Sequence, residues 1–192
     1  MKKIFLFSSA IALLIVAGCS GKKEEKTTVP GMVEQDLTKY GLAVTIQIPD
    51  STHGKTEIIQ NSGTGTVEIR VGGGFAISLQ AADSTELMDL KKQKELITAD
   101  EPFKLQKFHV DEPDAILYES KIEIAEMEPH YHFLALVKAG NNTYAIKDMI
   151  DNDSYYDKSR PGGYKYQEEG RKKMVEEMLK AAKTVKEKHK ES

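Results

Sequence analysis

The sequence predicts an α+β fold: a largely antiparallel sheet covered by an internal helix and a C-terminal amphipathic helix. Three observations predict it. Short segments that alternate apolar and polar residues recur along the chain, separated by turn residues, as half-buried strands do. One capped helical pattern interrupts them near residues 83–97. Near the C-terminus, Met174, Val175, Met178, Leu179, Ala182 and Val185 recur at helical spacing with charges between them. Strands joined by short turns pair antiparallel, and each helix buries its apolar stripe against a sheet face.

The elements follow in order. Leu42-Ala43-Val44-Thr45-Ile46-Gln47-Ile48 alternates and stops at Pro49-Asp50. Residues 55–60 are its expected partner, across a turn containing Asp50, Ser51 and Gly54. Val67-Glu68-Ile69-Arg70-Val71 alternates again, and Phe75-Ala76-Ile77-Ser78-Leu79 resumes after three glycines. Asp83-Ser84-Thr85-Glu86 offers an N-cap and a first-turn acid for a helix through about Ile97, with Leu87, Leu90, Lys94 and Ile97 along one face. Strands are expected at about 103–110, 115–124, 131–138 and 143–149, with Asn141-Asn142 marking the last turn. Residues 151–166 read as a long loop, and the final helix as 167–188. From Arg171 onward eight Lys and Arg oppose four Glu, a net of +4. Such a basic helix can lie on an anionic membrane, but its apolar stripe suits a sheet face, and packing is the expectation.

The N-terminus carries an address. Met1-Lys2-Lys3 precedes an almost wholly apolar run from Ile4 to Val16, and then Ala17-Gly18-Cys19-Ser20. Two lysines, a short apolar core and small residues before a cut are the parts of a secretory signal. The core is shorter than the ~20 residues a spanning helix needs. Val16-Ala17-Gly18-Cys19 resembles the lipobox of bacterial lipoproteins. The resemblance implies that Cys19, the only cysteine, receives a diacylglycerol and becomes the acylated first residue of the mature chain. Several acyl chains make a durable anchor. Ser20 is not the aspartate that signals inner-membrane retention in many Gram-negative lipoproteins. The expected location is therefore outside the cytoplasm, on the outer membrane, facing either the periplasm or the surface.

The expected organisation is a signal peptide over 1–18, a lipidated cysteine and polar tether over 19–38, and one α+β domain over 39–190. The element order over roughly residues 40–188 is similar to the small α/β sandwiches of the PsbP/Mog1-like group. Members of such a group perform different tasks, so the likeness implies no activity.

Composition removes several classes. Without residues 1–18 the chain loses Lys2 and Lys3, and its formal charge moves from −3 to −5. That balance gives no support to nucleic-acid binding, which wants a strongly basic face. With Cys19 lipidated no thiol remains for a disulfide, a redox pair or a nucleophile. The motifs G-x-S-x-G and H-E-x-x-H are absent, and no spacing of serines and acids singles out a triad. The chain is therefore expected not to be an enzyme, and no cofactor is expected.

Four features invite chemistry. His130-Tyr131-His132 sets two imidazoles two residues apart, on one face of a strand, and neutral imidazole is a common metal ligand. Glu119, Glu126, Glu128 and His109 are the nearest further ligands in sequence, but no spacing specifies one, so two half-buried strand histidines are the plainer reading. Gly72-Gly73-Gly74 and Gly63-Thr64-Gly65 lie between strand-like segments, so they read as turns or bulges rather than phosphate loops. Asp148, Asp151, Asp153 and Asp157 suit a hard cation by ligand type, but Tyr155 and Tyr156 break the required spacing. Tyr155, Tyr156, Tyr164 and Tyr166 give the loop 151–166 a recognition surface, since tyrosine is enriched at interfaces. Two functions are thus expected: an anchored envelope protein that binds a protein partner through those tyrosines, or one that binds a metal or small molecule through His130 and His132.

Overall fold

The structure is a computed structural model, and it describes residues 28–82, 89–100, 103–122, 130–149, 156–157, 165–166 and 168–188. The strands are β1 (Met32–Asp36), β2 (Val44–Pro49), β3 (Thr56–Asn61), β4 (Thr66–Val71), β5 (Phe75–Ala81), β6 (Lys104–Glu112), β7 (Ala115–Ile122), β8 (His130–Ala139), β9 (Asn142–Asp148), β10 (Tyr156–Asp157), β11 (Lys165–Tyr166) and β12 (Lys186–Glu187). The helices are α1 (Leu90–Ala99) and α2 (Glu168–Ala182). This is the expected α+β fold, and every strand pair is antiparallel.

The main sheet has seven strands in the order β3-β4-β5-β9-β8-β7-β6. Alternation assigns its two faces. On one face, Val67, Ile69 and Val71 of β4, Ile77 and Leu79 of β5, Leu117 of β7 and Phe133, Ala135 and Val137 of β8 form the principal core. Helix α2 supplies Met174, Val175, Met178, Ala181 and Ala182 to that core, and β2 supplies Val44, Ile46 and Ile48. On the other face a smaller cluster joins Leu90 of α1 to Ile116, Leu136 and Ala145, with Ile97, Phe108 and Tyr118 packed against it. The basic helix α2 is thus a sheet cover, its lysines on the solvated side.

Helix α1 starts where Asp89 caps it, its carboxylate accepting from the amides of Lys91 (3.1 Å) and Lys92 (3.2 Å). The first turn expected at 83–88 lies outside the described residues. Ten residues rise only about 15 Å, so α1 itself covers only part of the face formed by β7, β8 and β9.

Four expectations change. The segment 151–166, expected as a loop, contains the paired two-residue strands β10 and β11. The strand at 42–48 does not pair with 55–60: β2 pairs with β1 and β12 in a separate three-stranded sheet, while β3 pairs with β4. The tether expected over 19–38 ends earlier, because Met32–Asp36 runs beside β2 from Met32↔Pro49 to Asp36↔Thr45. A polar segment becomes a strand here because a hydrophobic neighbour offers it a free edge. The last helix ends at Ala182 rather than 188. Thr184 turns the chain, its Oγ1 accepting from Gln47 N at 2.8 Å, and Lys186 and Glu187 pair with Thr45 and Val44. Val185 stays in the core without being helical.

The glycine triplet is the β4–β5 hairpin turn, as expected of it. Gly72 has φ +56°, and a Cβ there would stand 2.1 Å from the carbonyl oxygen of His53. The β2–β3 connection crosses that hairpin in backbone contact, which only glycine permits.

Candidate functional site

Beyond the end of α1, the same three strand faces continue toward a cavity. Ile116, Leu136 and Ala145 lie under the helix. One step further along the same rows come Tyr118, Leu134 and Lys147, and then Ser120 and His132, which face each other across β7 and β8. With Ile97 and Asp100 from α1, Phe103, and Asp148 at the end of β9, these residues enclose a cavity of about 360 Å³. That is within the range of small-molecule sites, at its lower end.

The walls are apolar: Ile97, Phe103, Leu134 and the ring of Tyr118. Burial pushes the Tyr118 phenol up to about 12, and the nearby Asp100 carboxylate adds to the rise. The floor is polar. Asp148 Oδ2 accepts from the backbone amide of Phe133 at 3.0 Å, and Oδ1 stands 3.5 Å from His132 Nδ1. The His132 ring meets Phe103 edge to face, with centroids 5.7 Å apart. Ser120 is only 1 % exposed, and among the described residues its hydroxyl has no hydrogen-bond partner. An unsatisfied buried hydroxyl is uncommon in a folded protein and calls for an explanation.

Ser120, His132 and Asp148 come from three adjacent strands, in the residue types of nucleophilic hydrolysis. That chemistry also needs amides aimed at a developing oxyanion. Both β7 and β8 are paired along both edges, with a register shift in β6 beside the Leu105↔Ser120 pair.

A second polar group lies on the opposite face. Glu119 is 7 % exposed. It accepts from Arg171 Nη1 of α2, and its other oxygen lies 2.6 Å from His109 Nε2 of β6. The Arg171 guanidinium also stands 4.5 Å above the ring of Tyr131 and bonds Glu168 at 3.1 Å. This group ties α2 to the sheet edge.

His132 is thus in the cavity, whereas His109 and Glu119 face α2, on the other side of the sheet. Adjacent strand residues point to opposite faces, so neither can complete a metal site with His132. The backbone of His130 pairs with Ile122 at the start of β8. Glu126 and Glu128 lie outside the described residues. Among the described residues no three His, Cys, Asp or Glu side chains come close enough to hold a metal ion. Asp148, one of the four acids suited by type to a hard cation, is buried in the cavity floor; Asp151 and Asp153 lie outside the described residues. Tyr156 and Tyr166 are backbone partners in the ribbon β10–β11, with Asp157 opposite Lys165. Tyr155 and Tyr164 lie outside the described residues, as does Cys19.

Sequence reasoning missed Ser120, Phe103 and Tyr118. A signal was available: alternation over 115–124 sets Ser120 in a row with Ile116, Tyr118 and Ile122, a small polar residue among apolar ones. No protein-family model matches the chain, and no curated protein matches it.

Proposed function

We propose that this is a lipid-anchored, non-catalytic binding protein of the cell envelope, which holds a small molecule in the cavity beyond α1. Its lipobox-like N-terminus supports the anchor, and a non-aspartate at position 20 favours the outer membrane. The observation that carries the binding reading is the buried, unpartnered Ser120 hydroxyl at the floor of an apolar cavity of about 360 Å³. An apolar pocket with a few convergent polar groups is the usual form of a ligand site. His132, expected from the sequence to bind a metal or small molecule together with His130, lines this cavity beside Ser120 and Asp148.

The test is a screen of small organic compounds against the isotope-labelled protein, read by amide chemical shifts. Saturable changes are expected at Tyr118, Ser120, His132 and Leu134. A screen whose saturable changes fall elsewhere, or are missing, would refute the reading.

A further inference from the structure

The cavity lining also says what kind of molecule fits, an inference that rests on the binding reading above. Charge comes first. Asp100 and Asp148 line the cavity with Lys147 and His132. With His132 uncharged the four sum to −1, and with it protonated they sum to zero. In neither state is the lining cationic, so it offers a ligand carboxylate or phosphate no net attraction. The Asp148 carboxylate, its side chain only 2 % exposed, would face such a group directly. Both its oxygens already have protein neighbours, one in Phe133 N and one in His132 Nδ1. A ligand ammonium would meet the like charge of Lys147 on the same lining.

Hydrogen bonding comes next. A serine hydroxyl both donates and accepts. His132 turns Nδ1 toward Asp148, which leaves Nε2 as the ring nitrogen for a ligand. One ligand group satisfies both residues if it too donates and accepts: a hydroxyl or a carboxamide. The body of the ligand faces Phe103, Tyr118, Ile97 and Leu134, two aromatic rings and two branched chains, in a space at the small end of the usual range. Aromatic walls gain most from a ring, through edge and offset stacking.

We propose that the cavity takes a small uncharged molecule: a compact ring bearing a hydroxyl or carboxamide, its polar group bonded to Ser120 Oγ and to His132. Anions of the same shape are rejected by the lining.

The experiment titrates the full-length protein with benzamide, benzyl alcohol and benzoate, followed by the Leu134 and His132 amide signals. Benzamide or benzyl alcohol is expected to bind at least tenfold more tightly than benzoate. Ser120→Ala is expected to weaken the better probe at least fivefold. Thr143→Val removes the other unpartnered buried hydroxyl, outside the cavity, and is expected to leave the affinity within twofold. Equal or tighter binding of benzoate would overturn the ligand class and leave the binding function standing. So would unchanged affinity in Ser120→Ala, or equal weakening by Thr143→Val. No saturable response to any probe would overturn the class and the function together.

Discussion

Ser120 and Thr143 are each 1 % exposed, and neither hydroxyl has a partner. A buried hydroxyl left unpaired costs about 1–3 kcal/mol of desolvation. Ser120→Ala and Thr143→Val are therefore expected to stabilise the ligand-free protein, each by about 1 kcal/mol, in urea denaturation. A loss of stability in either variant would show that its hydroxyl does have a partner. Tyr118 gives a second residue-scale prediction. Its folded phenol is pushed from 10.0 up to about 12, because burial and Asp100 favour the neutral form. The folded state thus keeps this proton more tightly than the unfolded chain does. The stability that follows is whole below about pH 10 and drains away as the pH rises toward 12. Absorbance at 295 nm should show a late tyrosine step that Tyr118→Phe removes, and that variant should lose less stability over the same pH window. Of the cavity residues the sequence singled out His132, for a metal or small molecule, and Asp148, for a hard cation. The actual neighbours of His132 depend on β7–β8 register, which alternation within one strand does not reveal.

Elements respond at a larger scale. The Glu119 carboxylate is held by Arg171 and His109, with side-chain exposures of 10, 15 and 13 %. Breaking a buried pair by removing one partner strands the other charge, which costs several kcal/mol at full burial. Arg171→Met is expected to cost about 2 kcal/mol in denaturant unfolding, and the added change Glu119→Gln to recover at least half of it. If the double variant is no better than the single one, Arg171 acts through its packing on Tyr131 instead. Helix α1 offers a different test. Asp89→Ala removes the cap and should cost about 1 kcal/mol. Ligand affinity should fall with it, because α1 brings Ile97 and Asp100 to the cavity wall. Both helices and the strands of the main sheet were legible because their patterns are local: alternation in β4, β5 and β7, a 3.6-residue stripe in α2. Strands β1 and β12 were not. Met32–Asp36 and Lys186–Glu187 carry no strand pattern of their own, and become strands through the two edges of β2.

At the scale of the molecule, anchor and cavity are separable. Cys19→Ala is expected to abolish acylation and release the protein from the membrane fraction, leaving ligand affinity unchanged. Lipid mass persisting in that variant would remove the anchor, while altered affinity would mean that the cavity depends on it. The fold class was readable from the sequence, since turn-linked alternating segments leave few arrangements other than an antiparallel sheet with helical cover. The division into two sheets was not. It is decided by which strand finds which edge, and a hairpin between 42–48 and 55–60 would satisfy the same local pattern. The close backbone crossing of Gly72 and His53 instead sends β3 to β4.

Strand β2 also imposes a schedule. One of its edges is closed by residues 32–36 and the other by residues 186–187, and its Gln47 amide is satisfied by Thr184. During synthesis the first edge is available early, but the second stays open until nearly the whole chain has emerged. For that interval the small sheet is unfinished and α2 is missing from the core. A segment so dependent on its distant end remains extended and threadable until late. Under the proposed anchoring, that condition suits a chain that has to cross a membrane before it folds.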